Sequence, residues 1–301
     1  MRCPACNGTE WKNVDQYRVK PEGMSACQNC FFVSYPKKYK TEEEIKEYYR
    51  KEYRQPPTAA NLFSGERKLY YHEVILKPLI EEWKAQGLTK PVVGEVGSAI
   101  GMFLNWMKIK MPEAEIHGTE LTTSFRRVAF HEFGIQLNEE FDFTRRYDLV
   151  VSYHVLEHQL DPDIMLARYA HTLSERGVMY LSTPVWFREA TNFGQAGFDL
   201  EYYWAPDHIN AWSEEHLEWI IQKAGLDVVF KNDNMYGNTY ILKKKKGLVA
   251  LPNSPKWDVK GYEEKMANLQ NCWKALQENE TALAIQSWPN CPQAWIHHYE
   301  L

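Results

Sequence analysis

Four cysteines near the start of the chain form two C-x2-C pairs, Cys3 with Cys6 and Cys27 with Cys30. Each pair can present two thiolates from a tight turn, and two such pairs complete a tetrahedral zinc site. Two disulfides are the alternative, but they suit small secreted proteins, and we expect no export signal in the first residues. Because sulfur would fill all four positions and leave none for water, we predict a structural rather than a catalytic zinc.

A second set of residues, between positions 91 and 120, has the pattern of a ligand cradle. The apolar run Val92–Val96 predicts a buried strand, and Gly97 and Gly101 would let the backbone approach a ligand where the next helix begins. Glu95 replaces the first glycine of the dinucleotide fingerprint, and its carboxylate would repel a pyrophosphate but attract an ammonium group. Glu120 follows the next predicted strand, where carboxylates bind ribose hydroxyls. The pattern favours a cofactor that joins an adenosine to an amino acid.

These residues resemble the motifs of the class I S-adenosylmethionine-dependent methyltransferases. The resemblance rests, in the family's order, on Glu95–Gly101, Glu120, Tyr147–His158 and Gly177–Pro184. Ala99–Ile100 departs from the family pattern, in which a further small residue is common. The resemblance implies S-adenosylmethionine as the cofactor. The cofactor-binding residues that it implies are Glu95, Gly97, Ser98, Gly101, Glu120, Leu121 and Tyr153.

Strand and helix patterns alternate along this part of the chain, which predicts a parallel sheet with helices on both faces. The resemblance implies an α/β fold with a doubly wound, Rossmann-like, seven-stranded sheet whose last strand is antiparallel. The expected strands are 92–96, 115–119, 135–137, 149–153, 178–182, 228–231 and 239–243. The expected helices are one that starts after Thr41 and others at 64–86, 102–110, 124–133, 162–173, 213–224 and 262–277.

Breaks in the pattern divide the chain into three expected parts. Pro56–Pro57 ends a zinc-ribbon module with a Tyr-rich helix, residues 1–57. Residues 58–246 would form the methyltransferase domain, and residues 247–301 a C-terminal helical extension. A zinc ribbon followed by a Tyr-rich helix is also similar to methyltransferases of sugar and polysaccharide pathways, which indicates a class of acceptor.

Two histidines are candidate catalytic residues. Histidine side chains in general can take up a proton near neutral pH, and His208 has Asp207 as its neighbour, so His208 suits a general base; alternatively, it only ties down its loop. His154 begins an H-x-x-E-H motif that also marks certain zinc metallopeptidases. That motif directly follows a predicted strand instead of lying inside a long helix, which disfavours a peptidase. The resemblance implies that this turn lies beside the cofactor, where His154 or His158 would orient groups near the transferred methyl; alternatively, the two histidines cap and pack the turn.

The loop after the fifth predicted strand is the expected acceptor site, because ligands bind beyond the carboxyl ends of parallel strands. Arg188 could direct two N–H groups at a phosphate or carboxylate, although a surface arginine is an equal alternative. The candidate substrate-binding residues are Arg188, Tyr202, Tyr203 and Asp207.

The composition limits the possible partners. A hydrophobic content of 44% allows a sizeable core, and a net charge of −5 does not favour wrapping around nucleic acid. No apolar run reaches the ~18 residues of a membrane span, so we expect no membrane partner and a cytoplasmic location. The expected acceptor is a small molecule or glycan, first a nucleotide-linked sugar or polysaccharide precursor. A nucleic-acid methyltransferase and a cofactor-binding module without turnover are the alternatives; the acceptor atom and the oligomeric state stay open.

Overall fold

The computed structural model describes residues 1–14, 23–35, 39, 41–53, 73–185, 208–234, 237–246 and 255–277. Residues 64–72 of the helix predicted at 64–86, and residues 247–254 and 278–301 of the expected C-terminal extension, lie outside the described residues. In the described part of the chain, every helix is too short or too polar to span a membrane.

The described elements are strands and helices in the following order. They are β1 (Trp11–Asn13), β2 (Ser25–Cys27), β3 (Val33–Ser34), α1 (Glu42–Lys51), α2 (73–85), β4 (Val92–Val96), α3 (Met102–Lys110), β5 (Glu115–Thr119), α4 (Thr123–Phe133), β6 (Tyr147–Tyr153), a 3-10 turn (Leu156–His158), α5 (Pro162–Thr172), β7 (Leu173–Thr183), β8 (Asn210–Ala211), α6 (Glu214–Lys223), β9 (Leu226–Asn234), β10 (Gly237–Lys244) and α7 (Val259–Gln277).

A six-stranded sheet with the order β5-β4-β6-β7-β10-β9 forms the centre of the described structure. β5, β4, β6 and β7 are parallel, whereas β10 runs antiparallel to both β7 and β9. The inner strands are continuous apolar runs, and Val93, Leu149, Val150 and Val151 have no exposed surface. Such runs are typical of parallel strands that are covered on both faces.

Helices cover both faces of this sheet. The apolar side chains of α2, α3 and α4 form one cluster, which includes Leu76, Leu104 and Ala129. Those of α5 and α6 form another on the opposite face, which includes Leu166 and Ile220. The predicted α/β, doubly wound, Rossmann-like fold is confirmed, as is the antiparallel last strand.

The prediction of a strand at 135–137, and therefore of seven strands in the sheet, is wrong among the described residues. Only one isolated parallel bridge, between Thr119 and Asn138, extends the sheet on that side. The backbone N–H of Ile135 instead donates to Ala129 O at 3.2 Å and closes the end of α4. Because that N–H is already used by the helix, the segment joins the sheet one residue beyond its apolar run, at Asn138.

The cysteine pairs lie in a second, smaller sheet with the order β1-β2-β3-β8. Its last strand belongs to the chain beyond β7, since Val33 pairs with Ala211 and Ser34 with Asn210. Residues 208–211 are therefore held by β3 on one side and, through the Ile209 N–H that donates to Glu157 O, by the turn after β6 on the other.

Side chains also join the N-terminal module to α6. Phe32 is fully buried and packs on the rings of Trp212 and His216, at centroid distances of 6.0 and 5.8 Å. The ring of His216 accepts the Ser213 N–H at Nδ1, so its Nε2–H donates to Cys30 O at 2.8 Å. Burial lowers the pKa of His216 to about 4, which keeps this ring neutral. The apolar core thus continues from the main sheet into the cysteine module.

We expect Phe32→Ala to lower the free energy of unfolding by about 3–5 kcal/mol, because it leaves a cavity where the module meets α6. The control is Phe230→Ala, since Phe230 is 46% exposed on the outer strand β9 and should cost no more than about 1 kcal/mol. Urea denaturation followed by circular dichroism measures both. Equal losses for the two variants would show that the module does not share the core.

Candidate functional site

A cavity of about 490 Å³ opens at the carboxyl ends of β4 and β6. After β4 the chain forms β5, which is the neighbour of β4 on one side within the sheet. It later forms β6, which is the neighbour of β4 on the other side. A crevice forms at this point of reversal, because the two connections leave in opposite directions. Among its lining residues are Val96, Gly97, Ala99, Glu120, Leu121, Tyr153, His154, His158 and His208.

The loop after β4 has the tight turn that the glycines predicted. Gly97 has φ +66°, and a Cβ at this position would lie 2.7 Å from the side chain of Val155. Gly101 has φ +77° and is the N-cap residue of α3. Ala99 also has a positive φ of 48°, which is costly for a residue with a side chain. The loop therefore holds a strained backbone against the cavity.

Glu120 lies directly against this loop. Its two carboxylate oxygens accept the N–H groups of Ala99 at 2.9 Å and Thr122 at 2.8 Å. Burial raises the pKa of the Glu120 carboxyl, while these two hydrogen bonds act in the opposite direction. The carboxylate is fixed in place and still lines the cavity, so its remaining lone pairs suit hydroxyl donors.

The structure brings some of the predicted cofactor residues to the cavity and leaves others behind its surface. Gly97, Glu120, Leu121 and Tyr153 line it. Glu95 lies near the end of β4, and Ser98 and Gly101 lie in the loop itself, but all three are buried and absent from the lining of the cavity. The Ser98 hydroxyl donates to Glu95 O at 3.2 Å, which ties the loop to the end of β4.

Helix α1 forms a wall of the cavity that the sequence did not predict. Ile45 and Tyr49 line it from this helix and Tyr53 from just beyond its end, and Phe141 and Phe143 are further aromatic residues of the lining. The Tyr-rich pattern was visible in the sequence, but only tertiary packing places it here. Two ion pairs attach α1 to the segment after α4: Lys46 with Glu140 and Arg50 with Glu139, each with N–O distances of 2.9 Å.

A buried carboxylate lies among histidines on another side of the cavity. Glu157 is 1% exposed, and its Oε1 lies 3.4 Å from His154 Nδ1 and 3.8 Å from His158 Nε2. Its Oε2 accepts the Thr183 hydroxyl at 3.0 Å. Burial by itself raises the pKa of Glu157, but the hydrogen bond from His154 and electrostatic attraction by the histidines outweigh burial and lower the pKa to about 2. Glu157 is therefore a carboxylate at neutral pH.

His208 joins the same cluster from a distant part of the sequence. The Ile209 N–H donates to Glu157 O at 3.0 Å, and the rings of His208 and His158 meet edge to face at 4.9 Å. The two predicted catalytic histidines, His208 and His154, are thus brought together around Glu157, which sequence reasoning did not select. The H-x-x-E-H spacing was the only feature of the sequence that pointed to Glu157. The predicted substrate-binding residues Arg188, Tyr202, Tyr203 and Asp207 lie outside the described residues.

The four cysteines of the N-terminal module converge on one point. Their Sγ atoms all lie within 4.8 Å of one another, with 3.5 Å between Cys3 and Cys30 and between Cys6 and Cys27. These separations are too long for disulfides and close to the ~3.8 Å that Zn–S bonds of about 2.3 Å give in a tetrahedron. The four residues therefore fit a single metal ion with no open position.

Both cysteine turns have the same backbone geometry. Asn7 and Phe31, which follow the second cysteine of each pair, have φ 63°. Their N–H groups donate to the carbonyls of Cys3 and Cys27 at 2.9 and 2.8 Å. The repeated turn aims two sulfurs from each pair at the common point.

Comparisons with known proteins agree with this geometry. A family model described as a methyltransferase domain matches residues 70–230, more than half of the chain. No curated protein sequence matches the chain. One similar solved structure is an S-adenosylmethionine-dependent methyltransferase from Clostridium acetobutylicum, with 13% sequence identity, a TM-score of 0.43 and coverage of 60% of this chain and 99% of that chain. A second is an O-methyltransferase family protein from Burkholderia thailandensis, with 12% identity, a TM-score of 0.45 and coverage of 69% of this chain and 68% of that chain. A third is an O-methyltransferase family 2 protein from Planctomyces limnophilus in complex with apigenin, with 17% identity, a TM-score of 0.42 and coverage of 51% of this chain and 50% of that chain.

The structural likenesses are too distant to identify an acceptor. The assignment rests on the family model, whose range contains the glycine loop, Glu120 and the strands on either side of the crevice. The chain therefore belongs to the S-adenosylmethionine-dependent methyltransferases, with the class I fold.

Proposed function

We propose that this enzyme transfers the methyl group of S-adenosylmethionine to a small-molecule or glycan acceptor, a nucleotide-linked sugar or polysaccharide precursor. The observation that carries the proposal is the continuity of one cavity. The same 490 Å³ space is lined by the glycine loop and Glu120, by the histidine cluster and by the aromatic wall of α1. A cofactor at the loop and an acceptor at the wall would meet beside the histidines.

The cofactor is proposed to lie along the loop after β4. Glu120 would accept hydrogen bonds from the ribose hydroxyls, with Leu121 and Tyr153 beside it. Gly97 and Gly101 would admit the amino-acid end. Glu95 and Ser98 would act from beneath the loop, Glu95 through its negative charge near the ammonium group.

The acceptor is proposed to lie against the aromatic wall. Tyrosine and phenylalanine rings provide flat apolar faces for a sugar or a nucleobase. Arg168 also lines the cavity, with its guanidinium 3.8 Å from the ring centre of Phe143. A guanidinium held over a ring in this way is well placed to bind a phosphate. Arg188, Tyr202, Tyr203 and Asp207 are proposed to complete this side.

The reaction is proposed to be a direct displacement. The sulfonium already makes the methyl carbon electrophilic, so the protein's main task is to align an acceptor atom in line with the breaking C–S bond. His208 and His154 would take the proton that the acceptor loses. The four cysteines would hold a structural zinc ion that fixes the N-terminal module.

Glu120→Ala tests the cofactor assignment. We expect affinity for S-adenosylhomocysteine, measured by calorimetric titration, to fall about tenfold to a hundredfold, because charge-assisted hydrogen bonds to the ribose are lost. Glu132→Ala is the matched control. Glu132 is exposed on α4, the helix that follows Glu120, so this variant should leave the affinity unchanged. Unchanged binding by Glu120→Ala would contradict the assignment.

Metal analysis tests the cysteine site. We expect at least one tightly bound zinc per chain, and one zinc fewer in Cys27→Ser because three sulfurs no longer close the tetrahedron. Cys272→Ser should retain the full zinc content, since it leaves both pairs intact. A zinc content that does not depend on Cys27 would refute a four-cysteine site.

The acceptor class is tested by activity on purified sugar nucleotides with radiolabelled S-adenosylmethionine. The proposal expects methylated product whose yield does not change when DNA or RNA is added. Product formed only on nucleic acid would instead support the nucleic-acid alternative. Cofactor binding without product from either class would support a binding module.

A further inference from the structure

We propose that Glu157, His158 and His208 bind a divalent metal ion beside the cavity, and that this ion receives a hydroxyl oxygen of the acceptor. The metal site rests on the side-chain geometry alone, whereas the role given to the ion rests on the proposed function. The proposed metal site is separate from the cysteine site, because it has different ligands and a different position in the fold.

The distances between the donor atoms support a metal site. Glu157, His158 and His208 each offer one ligand atom, and these three atoms lie within 4.8 Å of one another. Metal bonds of about 2.0–2.2 Å to nitrogen and oxygen place neighbouring ligands roughly 3.4 Å apart in a tetrahedron. The value of 4.8 Å is an upper limit for the three separations, and Glu157 Oε1 and His158 Nε2 already lie 3.8 Å apart.

The surrounding structure orients these three side chains. The Thr183 hydroxyl holds Glu157 Oε2 at 3.0 Å, which turns Oε1 towards the histidines. The Ile209 N–H to Glu157 O hydrogen bond places the segment of His208 against the turn of His158. Outer hydrogen bonds of this kind orient metal ligands in proteins. The ligands come from two distant parts of the chain, so the fold, and not local sequence, assembles them.

The ligand types indicate which ions fit. Two imidazole nitrogens and one carboxylate oxygen suit Zn²⁺, Mn²⁺, Fe²⁺ or Co²⁺ better than Ca²⁺, which prefers oxygen ligands alone. Three protein ligands leave at least one coordination position open, as in catalytic rather than structural sites. His158 and His208 line the cavity, so the open position is reachable from the acceptor side.

The ion would define the acceptor more closely. A hydroxyl that coordinates a divalent cation loses its proton more readily, because the cation stabilises the alkoxide. Because His208 would hold the ion, His154 alone would take that proton; its Nδ1 lies 3.4 Å from Glu157 Oε1, and the residue also lines the cavity. The alkoxide oxygen would then form a bond to the methyl carbon as the C–S bond breaks. The electron pair of the broken C–S bond would stay on the sulfur of S-adenosylhomocysteine. The acceptor atom is therefore oxygen, on a compound whose hydroxyl can bind a metal.

Manganese binding tests the site without any assay of activity. The full-length protein is dialysed against EDTA until only the zinc of the cysteine site remains, and Mn²⁺ is then added while the electron paramagnetic resonance signal of free Mn²⁺ is followed. We expect one Mn²⁺ bound per chain. Glu157→Gln should weaken that binding at least tenfold, and His171→Gln, which alters an exposed histidine, should not change it.

Circular dichroism checks that each variant is folded. Should Glu157→Gln fail to fold, His208→Ala provides the same comparison, since it removes a ligand from a different segment. Absence of bound Mn²⁺ in the unaltered protein, or equal binding by the unaltered protein and a folded ligand variant, would overturn the site.

Calorimetric titration of the same samples with S-adenosylhomocysteine separates this proposal from the proposed function. Binding of S-adenosylhomocysteine without bound Mn²⁺ would reject the metal site and leave the methyltransferase site intact. Bound Mn²⁺ without S-adenosylhomocysteine binding would support the metal site and contradict the cofactor assignment.

Discussion

The parallel pairing of β4 with β6 is the constraint on which the rest of the site depends. Val93 pairs with Leu149 and Val96 with Ser152, so the glycine loop and the turn of His154 leave the sheet side by side. The contact is close enough that Gly97 has room for no Cβ beside Val155. The glycine loop and the histidine cluster are therefore one structural unit, and a shift in either strand would move both.

The N-terminal module supports the same unit from the other side. β3 pairs with β8, which begins two residues after His208. The carbonyl of Ile209, between them, accepts both the Tyr35 N–H at 2.8 Å and the Ser34 hydroxyl at 3.1 Å. A metal among the cysteines lies outside the chemistry, but by fixing β3 it would fix the segment that carries His208. A metal bound by the cysteines would therefore be linked through β3 and β8 to the candidate site.

The sequence was sufficient where local pattern determines structure, and insufficient where packing does. The apolar runs predicted β4 and β5 to the residue, and the spacing of Glu95, the glycines and Glu120 predicted the loop that the structure shows. The strand at 135–137 failed because α4 competes for the same N–H group. The wall of α1 and the meeting of Glu157 with His208 depend on contacts between segments far apart in the chain, which one sequence does not encode as a spacing.

Two costs in free energy fall on the same short turn after β6. His154 has φ 54°, a conformation that costs a residue with a side chain about 1–3 kcal/mol. Three residues later, Glu157 is a carboxylate with 1% exposure, and a buried charge is tolerated only when cationic or hydrogen-bonding groups surround it. A turn selected for packing alone would avoid both, since an asparagine and an apolar residue would fill the same positions at lower cost. Strain and a buried charge at one point, beside a cavity and next to the glycine loop, are typical of functional sites and favour a role in chemistry for this turn.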